Sequence, residues 1–149
     1  MKSETNGPKK RGKQATQSKP PKETTSRRKV EALLRESEER YRLIVEHSPN
    51  AIALHQNGRL VFVNPAAVTL MRAAHADELI GKPISEIVHP DYLAPAMERL
   101  NRMLAGETGL YPFEEVFIRL DGSTVPVEVI AAPLHLNGQL AIQVIVTDI

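Results

Sequence analysis

Three dipeptides constrain this chain more than any other feature: Asn57-Gly58, Asp121-Gly122 and Asn137-Gly138, each set between runs rich in β-forming residues. Asn-Gly and Asp-Gly accept the positive φ that tight hairpin turns demand, so each pair marks two antiparallel neighbours. AIALHQ and RLVFVN flank the first, FEEVFIRL and STVPVEVIAAPLHL the second, and QLAIQVIVTDI follows the third. The pattern predicts one hairpin followed by a three-stranded meander. Each group is too small to bury a face alone, so the five strands are expected to share one antiparallel sheet.

The residues between the two groups carry helical signals. In NPAAVTLM, Asn64 suits an N-cap and Pro65 the first helical position, where its missing N–H costs nothing. Loss of the Asn64 cap is expected to cost about 1 kcal/mol. HADELIG offers Asp77 near a short helix start and Gly81 at its end, and PISEIV can make a single turn. HPDYLAPAMERLNRMLAG places Leu93, Met97, Leu100 and Leu104 at helical spacing before Gly106. The fold class is therefore α+β, with inserted helices on one face of the sheet. Leu60 to Val63 and Val144 to Val146 are apolar at both parities, which requires cover on the other face too.

A segment ahead of the sheet can supply that cover. Val30, Leu34, Ser37, Tyr41 and Ile44 alternate spacings of four and three, with charged residues on the other faces. An amphipathic helix over about 29–47 is predicted, stopped before Pro49. It either lies on its own domain or pairs with a second copy as a short coiled coil through Val30, Leu34, Tyr41 and Ile44. Residues 1–28 differ in kind: Lys, Thr, Ser, Gln and Pro without apolar periodicity, expected to be a disordered basic arm. Residues 1–29 hold ten Lys and Arg against Glu4 and Glu23, leaving nine basic and sixteen acidic residues in the remainder. With no aromatic residue in the arm for base stacking, nucleic acid is not an expected partner beyond unspecific phosphate contact. No apolar run reaches the roughly 18 residues of a membrane span, and the basic N-terminus lacks the apolar core of a signal peptide, so the chain is expected in the cytoplasm.

The order and spacing of RYRLIVEHSPNAIALHQNGRLVFVNPAA, ADELIGKPISEIVHPDY, EEVFIRLDGSTVPVEV and the terminal VTDI resemble a PAS domain over about Glu38 to Ile149. The PAS portion is placed at 48–149. The resemblance implies a half-barrel sheet in spatial order 2-1-5-4-3 whose concave face and helices enclose a pocket. Within the family that pocket holds haem, flavin, a small metabolite or nothing. The resemblance also implies a sensory or dimerisation module of histidine kinases, cyclic-dinucleotide enzymes or transcription regulators, with Asp148 relaying to an output segment.

By strand parity within that resemblance, Ala53 and His55 face the pocket from the first strand, and Ile52 and Leu54 face away. Phe117, Val127, Val129 and Ala131 do so from the next two strands, and Val144 and Val146 from the last. Met97 and Leu100 approach from the long helix. Such a lining suits a small apolar ligand, although the same side chains can also pack together as core. No cofactor is expected. The chain has no cysteine, and Phe117, Val127 and Val146 cannot hydrogen-bond a flavin edge. Pro90 to Leu104 contains no histidine for haem. Glu115 shares the inward parity of Phe117 and, being charged, needs a partner or a place at the rim. His89 reads as a helix cap.

No nucleophile elbow, phosphate-binding Gly-rich loop or metal-ligand spacing is present, so no catalytic or metal-binding residue is assigned and the domain is expected not to be an enzyme. The sequence reading is a signal-transduction input module of a two-component sensor kinase or cyclic-dinucleotide enzyme. It would work as a homodimer, with an output domain or a signalling protein as its further partner. The alternatives are a ligand-free interaction module and a transcription regulator whose basic arm touches DNA, although no helix-turn-helix unit accompanies the arm.

Overall fold

The computed structural model describes residues 21–149, so the first twenty residues of the expected disordered arm lie outside the described residues. Helix α1 spans Pro21–Glu46. It ends where Pro49 requires, but it begins well ahead of residue 29: residues 21–28 lack apolar periodicity, yet beyond Pro21, which suits a first helical position, they contain no Gly or Pro to break a helix. By contact the chain divides after Glu39. The described part of the first unit is helical throughout, and the second, Arg40–Ile149, contains the last turns of α1 and everything after them.

Strands β1 (Ala51–Gln56), β2 (Arg59–Val63), β3 (Phe113–Ile118), β4 (Thr124–Leu136) and β5 (Gln139–Asp148) form one sheet in the order β2-β1-β5-β4-β3. Every neighbouring pair is antiparallel. The predicted turns explain the connections. Asn57 and Gly58, and likewise Asn137 and Gly138, both hold positive φ, the geometry whose twist matches the flanking strands. The Asp121-Gly122 turn differs: only Gly122 is left-handed, Gly122 N–H donates to Arg119 O, and Arg119 N–H donates to Ser123 O. This is the three-residue hairpin with a glycine bulge, capped by Asp121 Oδ1 accepting from Ser123 N–H at 2.9 Å.

A register shift between Leu54 and His55 resolves the four consecutive apolar residues of β2. Val63 pairs with Ala53 and Phe62 with Leu54, but His55 pairs with Leu60, which leaves Val61 as the extra residue. The bulge turns both Leu60 and Val63 inward, where they are buried, and leaves Val61 and Phe62 exposed.

Helix α2 (Pro65–Leu70), single 3-10 turns at Ala76–Glu78 and Ile84–Glu86, and helix α3 (Pro90–Leu104) connect β2 to β3. Backbone bonds pin this segment to both free edges of the sheet. Gly81 N–H donates to Leu60 O at 2.7 Å on β2, and Ile118 N–H donates to Ile87 O at 2.7 Å on β3. Edge groups that could pair with another chain are thereby occupied, and the inserted segment is held across the concave face. On the opposite face, Tyr41 O–H donates to Gln143 Oε1 at 2.9 Å and Val45 is buried. Ile130 and Phe62 on that face stay 45% and 37% exposed, so its cover is partial.

Candidate functional site

The concave face and the inserted helices enclose a cavity of about 100 Å³. Strand alternation places Ala53 and His55 of β1, Phe117 of β3, Val129 and Ala131 of β4, and Val144 and Val146 of β5 on its wall. Met97 and Leu100 of α3 close it from the helical side, α2 contributes Ala67 and Leu70, and Met71 follows just past its end. Nine of the ten side chains expected at a pocket therefore meet around one space. Val127 does not: it is fully enclosed among core side chains, opposite Glu115 in the register, and presents no surface to the cavity. Parity alone could not separate a lining residue from one packed beneath the wall.

Asn64 positions this wall. Its side chain is fully buried and makes four hydrogen bonds. Oδ1 accepts from Ala67 N–H, which is the expected helix cap, and from Ile52 N–H of β1, both at 2.9 Å. Nδ2 donates to Val45 O in the last turn of α1 at 2.9 Å and to Asn50 O at 3.1 Å. One amide thus ties α1, the start of β1 and the start of α2 together. The cap was legible in the sequence; the other three bonds are tertiary and were not.

Of the three ionisable side chains that line the cavity, Tyr111 is half-buried and His55 and Glu115 are buried. His55 is 7% exposed, and burial lowers its pKa to about 4, so its imidazole is neutral near pH 7. Glu115 is 5% exposed, and burial raises its carboxyl to about 7, partly opposed by the charge of Arg99. Its Oε2 has no hydrogen-bond partner. The expectation of a partner or a rim position for Glu115 therefore fails: the nearby cation, Arg99, stacks its guanidinium 3.5 Å from the centre of the Phe113 ring instead. Phe113 in turn packs against Tyr111, with ring centres 5.0 Å apart. The register sets His55 in line with Ile142 and Glu115 in line with Asp148, so the two polar groups bracket the cavity rather than share a point in it.

Other assigned residues lie elsewhere. Asp148 ends β5 and is exposed. His89 caps α3, its Nδ1 accepting from Asp91 N–H at 3.1 Å. Val30, Leu34, Tyr41 and Ile44 of α1 are each more than half exposed, as is Leu33. Among the described residues no three His, Cys, Asp or Glu side chains are grouped to hold a metal ion, and no helix is long and apolar enough to cross a membrane.

Comparison with known proteins gives one answer. A family model described as a PAS domain matches residues 49–149. Sporulation kinase A of Bacillus subtilis is 31% identical over 125 residues, which are 84% of this chain and 21% of that protein. The C4-dicarboxylate transport sensor protein DctS of Rhodobacter capsulatus is 35% identical over 80 residues, 52% of this chain and 12% of that protein. The chain thus spans about a fifth or less of the curated relatives it matches. Among solved structures, the PAS domain of an HTR-like protein from Haloarcula marismortui superimposes with a TM-score of 0.61 at 27% identity, covering 82% of this chain and 99% of that one.

Proposed function

The chain belongs to the PAS-domain family, and we propose that it is a non-catalytic sensory input module of a longer signalling protein, a sensor histidine kinase or a cyclic-dinucleotide enzyme. It takes a small apolar ligand between the sheet and α3 and relays occupancy through α1 helices paired in a homodimer. The single observation that carries this reading is the cavity itself, an apolar space walled jointly by all five strands and by the inserted helices. A volume of about 100 Å³ supports a ligand far smaller than haem or flavin.

Asn64 supplies a route from ligand to output. Ala67 and Leu70 of α2 line the cavity, and the Asn64 side chain links the start of that helix to the Val45 carbonyl of α1. A ligand that seats better against one position of α2 than another biases the last turn of α1 by that difference in affinity. The exposed side chains Val30, Leu34, Tyr41 and Ile44, at heptad-like spacing, support pairing of α1 with its counterpart in a second copy.

The test is denaturing extraction of purified protein followed by mass spectrometry, with light scattering at increasing concentration. A retained small molecule and a dimer in the micromolar range are expected. A monomer at high micromolar concentration that retains nothing, and gains no thermal stability from a metabolite panel, overturns the proposal.

A further inference from the structure

The cavity wall is apolar except at its ends, and at one end stands Glu115, 95% buried, with a carboxyl oxygen that nothing in the protein satisfies. A buried carboxyl left in this state costs stability for as long as it stays unpartnered. Its surroundings offer no remedy. The Arg99 guanidinium of α3 is engaged over Phe113, Val127 opposite on β4 is apolar, and Asp148 beyond it on β5 is exposed and of like charge. Tyr111, just ahead of β3, is the other titratable group that senses Glu115, and burial raises its phenol so that it stays neutral. His55 sits at the far end of the wall.

We propose that the missing partner of Glu115 is the ligand: a small neutral molecule with an apolar body of about four or five non-hydrogen atoms and one hydrogen-bond-accepting oxygen, such as a ketone, ester or alcohol, received by the protonated carboxyl. The size follows from the volume, since an apolar protein cavity of about 150 Å³ takes benzene and this one is about 100 Å³. The charge state follows from the setting. Burial holds the carboxyl neutral to about pH 7, so Glu115 offers an O–H to an acceptor. The stacked Arg99 beside it disfavours a cationic ligand, and the apolar wall disfavours an anionic one. Selectivity then rests on a single hydrogen bond formed away from water, and it switches off when Glu115 ionises. This inference rests on the ligand-binding reading above.

Three probes of related size separate the two: cyclopentanone, cyclopentane and butylammonium, titrated into the full chain and followed by amide chemical shifts at pH 5.5 and 8.5. His55, at about 4, stays neutral over that range, so Glu115 is the cavity group that titrates. Cyclopentanone should bind about tenfold tighter than cyclopentane at pH 5.5, as a desolvated hydrogen bond would give, and lose that preference at pH 8.5. Glu115→Gln, which keeps an N–H donor, should hold the preference at both pH values, and Glu115→Leu should abolish it while still binding cyclopentane. A preference that survives in Glu115→Leu, or tighter binding of butylammonium than of cyclopentanone, overturns the inference. So do equal affinities of the two rings at pH 5.5, which leave the apolar pocket intact. Failure of cyclopentane itself to shift any cavity amide removes the ligand pocket and with it the broader proposal.

Discussion

Replacing Glu115 by Gln should make the protein more stable, by an amount that depends on pH in a calculable way. The carboxyl moves from 4.5 to about 7 on folding, so the folded state holds a proton that the unfolded chain releases in that interval. The stability this neutral form contributes is complete below pH 4.5 and is lost as pH rises through 7. At ~1.4 kcal/mol per tenfold, the full loss is about 3 kcal/mol. Gln has nearly the same shape and no charge to bury, so the variant escapes the loss. Relative to wild type it should gain little at pH 4 and about 3 kcal/mol by pH 8, a shift of roughly 1–3 M in the urea midpoint. His55 acts with the opposite sign. Its pKa falls from 6.5 to about 4 on folding, so its contribution is complete above 6.5 and is lost as pH falls towards 4. The two losses offset one another in the wild type between pH 4.5 and 6.5. In Glu115→Gln the His55 limb should stand exposed, as a fall of about 3 kcal/mol between pH 6.5 and 4 beyond that of the wild type. Urea titrations of both proteins at half-unit pH intervals measure the difference, in which carboxylates common to both cancel. Parallel curves within about 0.5 kcal/mol from pH 4.5 to 8, with equal slopes in denaturant, would refute the argument that Glu115 is buried without a partner.

Asn64→Ala should cost about 3–5 kcal/mol rather than the 1 kcal/mol of a lost cap, because it takes the side-chain acceptor from the buried Ile52 N–H and removes the bonds to the Val45 and Asn50 carbonyls along with the cap; a denaturant midpoint consistent with about 1 kcal/mol would return the residue to a simple cap. Leu34→Glu with Ile44→Glu should convert the proposed dimer to monomer in light scattering while leaving the circular dichroism spectrum unchanged, since both positions are exposed. Gly138→Ala should cost about 1 kcal/mol, because a side chain at φ +78° meets its own backbone even where the space around it is open. Equal melting temperatures for Gly138→Ala and wild type would place the strain elsewhere.

The strands and the turn positions were legible because each rests on local chemistry: a dipeptide that tolerates positive φ, a proline that can only begin a helix, alternation along a strand; the spatial order of the strands came from the family resemblance instead. The same locality explains where legibility ended. Asp121-Gly122 read like the two Asn-Gly turns, but it is a longer bulged hairpin, since the dipeptide does not reveal how many flanking residues leave the ladder. Val127 has the parity of Val129 and a similar side chain, yet only Val129 reaches the cavity while Val127 is wholly enclosed in the core, a difference of tertiary packing that alternation along the strand does not carry.

Glu115 shows the limit most sharply, and shows why it bears on function. Sequence assigned it an inward direction and then the rule that inward charge is paired or peripheral. The rule fails here for a reason that belongs to tertiary structure alone: Arg99, the cation that could have paired with it, is held by the face of Phe113, two residues earlier on the same strand. A fold optimised only for stability would place an apolar side chain at 115, where both neighbouring inward positions are already phenylalanine. Retaining a carboxyl there, against a penalty that rises with pH, is accounted for if its missing partner is supplied from outside. On the proposal made above, the residue that departs from local consistency is also the one that gives the cavity a chemical preference.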